Sequence, residues 1–232
     1  MFDPDELIVA GPTIRARDAA TLVIARRDGT EVRVLMGRRH ARLAFQPNKF
    51  VFPGGRLDPG DLRVVAGGAL RPAVLAKLAI DISPERARGL ALAAIRETFE
   101  ETGVLVGECA ARVPRTKSGP WSQFFAHGVV PNLASLDYVA RAITPPGRPR
   151  RFDARFFMVE GTAIARELGA GTHDELLTPA WLTLSEARAL DLPSITRRVL
   201  DEVEARQSDG PDAERPIPFF RFTRGSPGLT WL

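Results

Sequence analysis

The stretch RETFEETGV, Arg96 to Val104, crowds Glu97, Glu100 and Glu101 together. Residues three and four apart on a helix are neighbours, so these carboxylates share a face. An acidic face near a helix end is ordinarily a solvated surface. Here, however, the trio sits just before Gly103, at the negative end of the helix dipole, where each added negative charge costs roughly 0.3–1 kcal/mol. Hard divalent cations with oxygen ligands answer such repulsion, and magnesium suits carboxylates that also hold a substrate's phosphates. Arg96 stands four residues before Glu100 and can orient it. A second stretch, FPGGRLDPGD from Phe52 to Asp61, marks a sharp turn at Pro53-Gly54-Gly55, where the backbone can approach other groups closely.

The elements that must position these groups are readable in part. AATLVIARR and EVRVLMGRR, joined by DGT, read as a β-hairpin. SPERARGLALAAIRETFEETG reads as a well-specified helix: Ser83 as N-cap, Pro84 at the first position, Gly103 closing the C-terminus. Leu92, Ile95 and Phe99 form a stripe that can pack on a sheet, with the carboxylates turned outward. GGALRPAVLAKLAIDI reads as a loop and short helix, VLVGECA as a strand, NLASLDYVARAI as a helix and FDARFFMVEG as a buried strand. PAWLTLSEARAL reads as a strand and a helix capped at Ser185, and SITRRVLDEVEAR as an amphipathic helix. The aromatic, proline-rich tail, about 208–232, is expected to dock on the body. Strands mixed with helices predict an α/β fold with helices on both faces of a sheet.

Composition bounds the function. The chain has 232 residues, 44% hydrophobic and 26% charged, which is ordinary for a soluble globular protein. Its net charge of +4 is scattered, with short basic clusters at Arg38-Arg39 and Arg148 to Arg151, so nucleic-acid binding has little support. One cysteine, Cys109, and three separated histidines exclude an intrachain disulfide and a Cys/His zinc pattern. No signal peptide or apolar membrane span is visible, which makes a cytoplasmic location the expectation.

Together the two motifs resemble the signature box of the Nudix hydrolases: Gly55 opens it, Asp61 stands where glutamate is usual, and Arg96, Glu97, Glu100, Glu101, Gly103 and Val104 fill its second half. Thr98 replaces an apolar residue. Residues 62–95 stand where the family has a short spacer, which implies an insertion over about residues 62–88, expected to loop out. That interruption is similar to coenzyme A diphosphatases of the peroxisomal type. The upstream stretch LMGRRHARLAFQPNKFVFPGG partly matches the same branch, with His40 where serine is usual and Asn48 where glycine is usual.

The resemblance implies one Nudix domain over 1–232, an α/β/α sandwich around a mixed sheet, hydrolysing a small-molecule diphosphate with Mg2+ or Mn2+. It implies Glu97, Glu100, Glu101 and the Gly54 carbonyl as metal ligands, with Arg96 orienting the carboxylates and Asp61 in a structural role. Arg38, Arg39, Gly54 and Gly55 would meet the substrate. Glu175, beside Asp174 and ahead of Trp181, would be a further ligand or the general base. Trp121, Phe124 and Phe125 are expected in the core rather than in a pocket, and His40 outside the catalysis. The favoured substrate is coenzyme A or acyl-coenzyme A. Nucleotide sugars or dinucleotides, and a non-catalytic nucleotide-sensing module, are the alternatives. A homodimer is left open, and no membrane or nucleic-acid partner is expected.

Overall fold

The computed structural model describes residues 14–169, 171, 175–209, 215–223 and 226–232. The predicted hairpin is present: β1 (Arg17–Asp28) and β2 (Glu31–Arg39) pair antiparallel, with Gly29 at φ 62° in the turn. β1 is the hub. It pairs antiparallel with β4 (Gly54–Arg56) and parallel with β9 (Phe152–Glu160). β9 continues to β8 (Asp137–Ile143), then to β12 (Pro218–Thr223) and β13 (Ser226–Trp231). On the other side β2 pairs with β11 (Leu176–Thr183), and β3 (Phe50–Val51) lies beside β2. The result is one mixed sheet, beside which β5 (Val104–Val106) pairs with β10 (Ile164–Glu167) and β6 (Glu108–Cys109) with β7 (Val129–Val130).

Two cores lie on its two faces. On one, α2 (Pro84–Thr102) packs with α1 (Pro72–Leu78) and α3 (Gly119–Ala126) over Ala20, Leu22 and Ile24. On the other, α4 (Leu184–Arg188) and α5 (Ser194–Asp209) pack over Val23, Ala25 and Val34. Alternate residues of β1 thus feed opposite cores, as strand geometry requires. The expected arrangement of helices on both faces is the one observed.

α2 begins as its sequence demands. The Ser83 hydroxyl accepts the Arg86 N–H at 3.3 Å, and Pro84 occupies the first turn. Gly103, at φ 73°, sends its N–H to the Phe99 carbonyl at 2.9 Å and ends the helix. Leu90, Leu92, Ile95 and Phe99 are fully buried, each contributing roughly 1.5–3 kcal/mol.

Three expectations need correction. NLASLDYVARAI is not helical: its second half is β8, a central strand between β9 and β12. Tyr138, Val139 and Ala140 are buried in succession because both faces of that strand are covered, so the alternation that marks a strand is lost. The segment after Asp61 does not loop out. It drives Val64, Leu70, Val74 and Leu78 into the α2 core. Finally, α4 is capped by Thr183 rather than Ser185, through a capping box in which the Thr183 hydroxyl and the Glu186 carboxylate exchange backbone N–H bonds of 3.1 and 2.8 Å. Near the end of the chain β12 runs parallel to β8, and Ile217 and Leu232 exchange backbone hydrogen bonds.

Candidate active site

The Gly54-Gly55 turn and the end of α2 meet directly. β4 holds Gly54 against Thr21 and Gly55 against Ala20 of β1. From there the Gly54 N–H donates to Glu101 Oε2 at 2.9 Å. A Cβ on Gly55 would stand 2.4 Å from the Glu97 carboxyl carbon, and one on Gly54 would strike the Ala20 carbonyl oxygen at 2.5 Å. Gly54 is therefore required by close approach to a neighbouring strand, whereas at Gly55 a side chain would have to displace the Glu97 carboxylate.

Behind this contact lies a buried polar knot. Asp61 is fully buried and binds Arg96 bidentately, Oδ1 to Nε at 2.8 Å and Oδ2 to the guanidinium at 3.0 Å. Asp61 also accepts the Trp121 indole N–H at 2.8 Å and the Asp58 backbone N–H at 2.8 Å. Arg96 extends the knot to Glu97 and Glu100, each at 2.8 Å, and to the Arg56 carbonyl at 2.9 Å. Burial opposes the Arg96 charge, yet Asp61, Glu97 and Glu100 outweigh it and hold the guanidinium ionised. The role of Trp121 as a partner of Asp61 carries no local sequence signal. Trp121, Phe124 and Phe125 otherwise pack in the core, as expected.

The carboxylates are not a solvated face. Glu100 and Glu101 are 3% and 4% exposed and look into a cleft instead of open solvent. Burial, reinforced by Glu97 and Glu175 against the pull of the Gly54 N–H and Arg39, raises Glu101 to about 8. Burial, offset in part by Arg96, raises Glu97 to about 7. The donor set fits a hard divalent cation: all ligating groups are oxygens, they are short of positive charge, and Gly55 leaves room at Glu97. Among the described residues, however, no three His, Cys, Asp or Glu side chains already converge as a preformed metal cluster. Glu97 and Glu100 turn to Arg96, and Glu101 to Gly54.

The cleft measures about 1260 Å³. Glu97, Glu100, Glu101 and Glu175 stand at one end, and Arg39, Gly54 and Gly55 line it as well. Arg39 is anchored through Nε to the Phe45 carbonyl at 3.0 Å. Its neighbour Arg38 is exposed on the opposite side of β2 and does not line the cleft, because adjacent strand residues face opposite ways. His40 is also outside the cleft, and its Nδ1 accepts the Arg42 N–H at 3.1 Å. Asn48, standing where the resembled pattern has glycine, adopts φ 63°, a left-handed conformation that asparagine tolerates. Asp174 lies outside the described residues.

No family model matches the chain. The chain is 31% identical over 156 residues to a Caenorhabditis elegans protein described as "Putative nudix hydrolase 7", a match covering 62% of this chain. It spans only 44% of that relative's length. A crystal structure of a NUDIX hydrolase from Alicyclobacillus acidocaldarius superposes with a TM-score of 0.61 at 28% identity, covering 83% of this chain and 92% of that one. The fold is the Nudix fold. Sequence match and architecture together support the Nudix hydrolase superfamily. Among the described residues no helix is long and apolar enough to cross a membrane.

Placed in the Nudix fold, the raised carboxylates make a linkage prediction. Above about pH 4.5 the folded chain holds protons that the unfolded chain has released, up to about pH 7 on Glu97 and about pH 8 on Glu101. Stability of the metal-free protein therefore falls as pH rises through this window, by about 1.4 kcal/mol per pH unit for each group affected. Magnesium should raise the melting temperature, and more at pH 8 than at pH 5. Thermal melts across pH with and without magnesium check both effects.

Proposed function

We propose that the chain hydrolyses the diphosphate bridge of a nucleoside-diphosphate-linked compound, with coenzyme A or acyl-coenzyme A the favoured substrate. The observation that carries this is the meeting of the Gly54-Gly55 turn with Glu97 and Glu101 at the head of the cleft. The coenzyme A reading draws further support from the resemblance of the residues upstream of the turn.

In this reading Glu97, Glu100, Glu101 and the Gly54 carbonyl hold magnesium or manganese, which when bound supplies charge neutralisation and Lewis acidity at the phosphoryl oxygens. Arg96 fixes Glu97 and Glu100 from behind. Arg39 contacts the phosphates from the cleft wall. Glu175, exposed at the same end, accepts the proton of the attacking water. The water oxygen bonds to one phosphorus, the bridging P–O bond breaks, and the bridging oxygen leaves on the other phosphate. A non-catalytic sensing module is disfavoured because Glu97, Glu100 and Glu101 are all present and line the cleft.

A panel of diphosphate compounds with magnesium tests the proposal: coenzyme A, acyl-coenzyme A, a nucleotide sugar and a dinucleotide. Turnover should appear for at least one, vanish with chelator, and vanish in Glu100→Gln. Isotopically labelled water then identifies the phosphorus attacked. Turnover indifferent to chelator would overturn the metal-dependent reading.

A further inference from the structure

The cleft is electrically divided. All the acidic side chains that line it, Glu97, Glu100, Glu101 and Glu175, belong to the end already described. Its other reach is lined by arginines that reading leaves without a role, among them Arg15, Arg17, Arg150 and Arg151. Arg17, Ala19 and Thr21 are alternate residues of β1 and point to one side of it, and Arg15 lines the cleft just before the strand begins. The loop after β8 brings in the rest. Arg17 N–H donates to the Arg151 carbonyl at 2.9 Å, and the Arg151 guanidinium reaches the Ile14 carbonyl at 2.7 Å and the Thr144 carbonyl at 3.0 Å. Arg151 thereby braces the loop against the start of β1.

The neighbouring acids are spent elsewhere. Asp18 faces the other side of β1 and pairs with Arg155 and Arg86, while Asp153 pairs with Arg141. Among the described residues, Arg15, Arg17 and Arg150 have no carboxylate within ion-pair distance. Thr21 pairs with Gly54 at the carboxylate end, and Arg17 lies four residues back along the same strand, roughly 13 Å away. The floor between is small and apolar, with Ala19, Ala142 and Ala154 beside Phe152 and Phe156. Phe45 meets Phe152 edge to face at 5.0 Å.

Like charges gathered without partners, within one nucleotide's reach of a diphosphate site, call for a second anion. We infer that Arg15, Arg17 and Arg150 bind a phosphate monoester carried by the nucleotide apart from its diphosphate bridge. This rests on the proposed hydrolysis and sharpens it: substrates with such a phosphate are selected over those without it.

The test compares coenzyme A with dephospho-coenzyme A, which lacks that phosphate, under magnesium. Wild type should favour coenzyme A in kcat/KM by roughly ten- to a hundredfold. The preference should shrink with added salt. It should collapse toward one in Arg15→Gln/Arg17→Gln and weaken in Arg150→Gln, with the loss concentrated on coenzyme A. Melting curves confirm that these exposed substitutions leave the fold intact. A wild-type ratio near one, or a ratio that survives in both variants, overturns the inference while leaving the hydrolase reading in place. Should neither compound be cleaved, the choice of coenzyme A as substrate fails separately. Calorimetry with adenosine 3′,5′-bisphosphate against AMP then decides: tighter binding of the bisphosphate, lost in the same variants, supports the inference, and equal binding overturns it.

Discussion

Glu101→Gln should reduce turnover by roughly two to three orders of magnitude while leaving the metal-free protein at least as stable as wild type at pH 8. The two effects have one origin. Glu101 is buried, accepts the Gly54 N–H at 2.9 Å, and is raised to about 8 by burial with Glu97 and Glu175 nearby. Glutamine keeps the shape and can still accept that N–H. What it removes is a charge the folded chain disfavours, so the apo fold gains by up to a few kcal/mol above pH 7. The same charge is what a divalent cation would bind. Initial rates, together with melts at pH 8 with and without magnesium, separate these contributions. A variant that turns over normally would remove Glu101 from the chemistry.

Asp61→Ala should produce the largest loss of stability. Asp61 is fully buried and receives the Arg96 guanidinium, the Trp121 indole N–H and the Asp58 N–H. Removing it takes away the bidentate partner of a buried cation and leaves two buried donors unpaired, a change worth roughly 3–5 kcal/mol, or on the order of 10 °C in melting temperature for a chain of this size. Activity should fall too, because Arg96 loses the anchor from which it fixes Glu97 and Glu100. Asp61→Asn, which preserves shape but not charge, should lie between. A melt of Asp61→Ala within about two degrees of wild type would show that the knot relaxes freely.

Much of this was legible locally. Ser83, Pro84 and Gly103 define α2 because capping chemistry acts within a few residues. The β1–β2 hairpin was readable because its turn residues stand between two β-rich runs. The carboxylates' spacing put them on one face, but their burial was not readable, since the partners that enclose them come from β4 and the cleft walls. β8 was misread for a related reason: a strand covered on both faces loses its period, and Leu133 and Leu136, buried just before it, supply a helix-like rhythm instead. Trp121 finds Asp61 only through tertiary packing. Arg38 and Arg39 look equivalent in sequence, and strand alternation sends only Arg39 into the cleft.

The Asp61–Arg96 pair also says what holds the two halves of the motif in place. A bidentate contact in the interior, not a hinge of set length, fixes the glycine turn against the carboxylates. The chain between those residues can therefore take its own course without displacing either, provided that it finds apolar anchorage, as Val64, Leu70, Val74 and Leu78 do here. A pattern written as fixed spacing does not describe such a contact. Written as which atoms touch, it does.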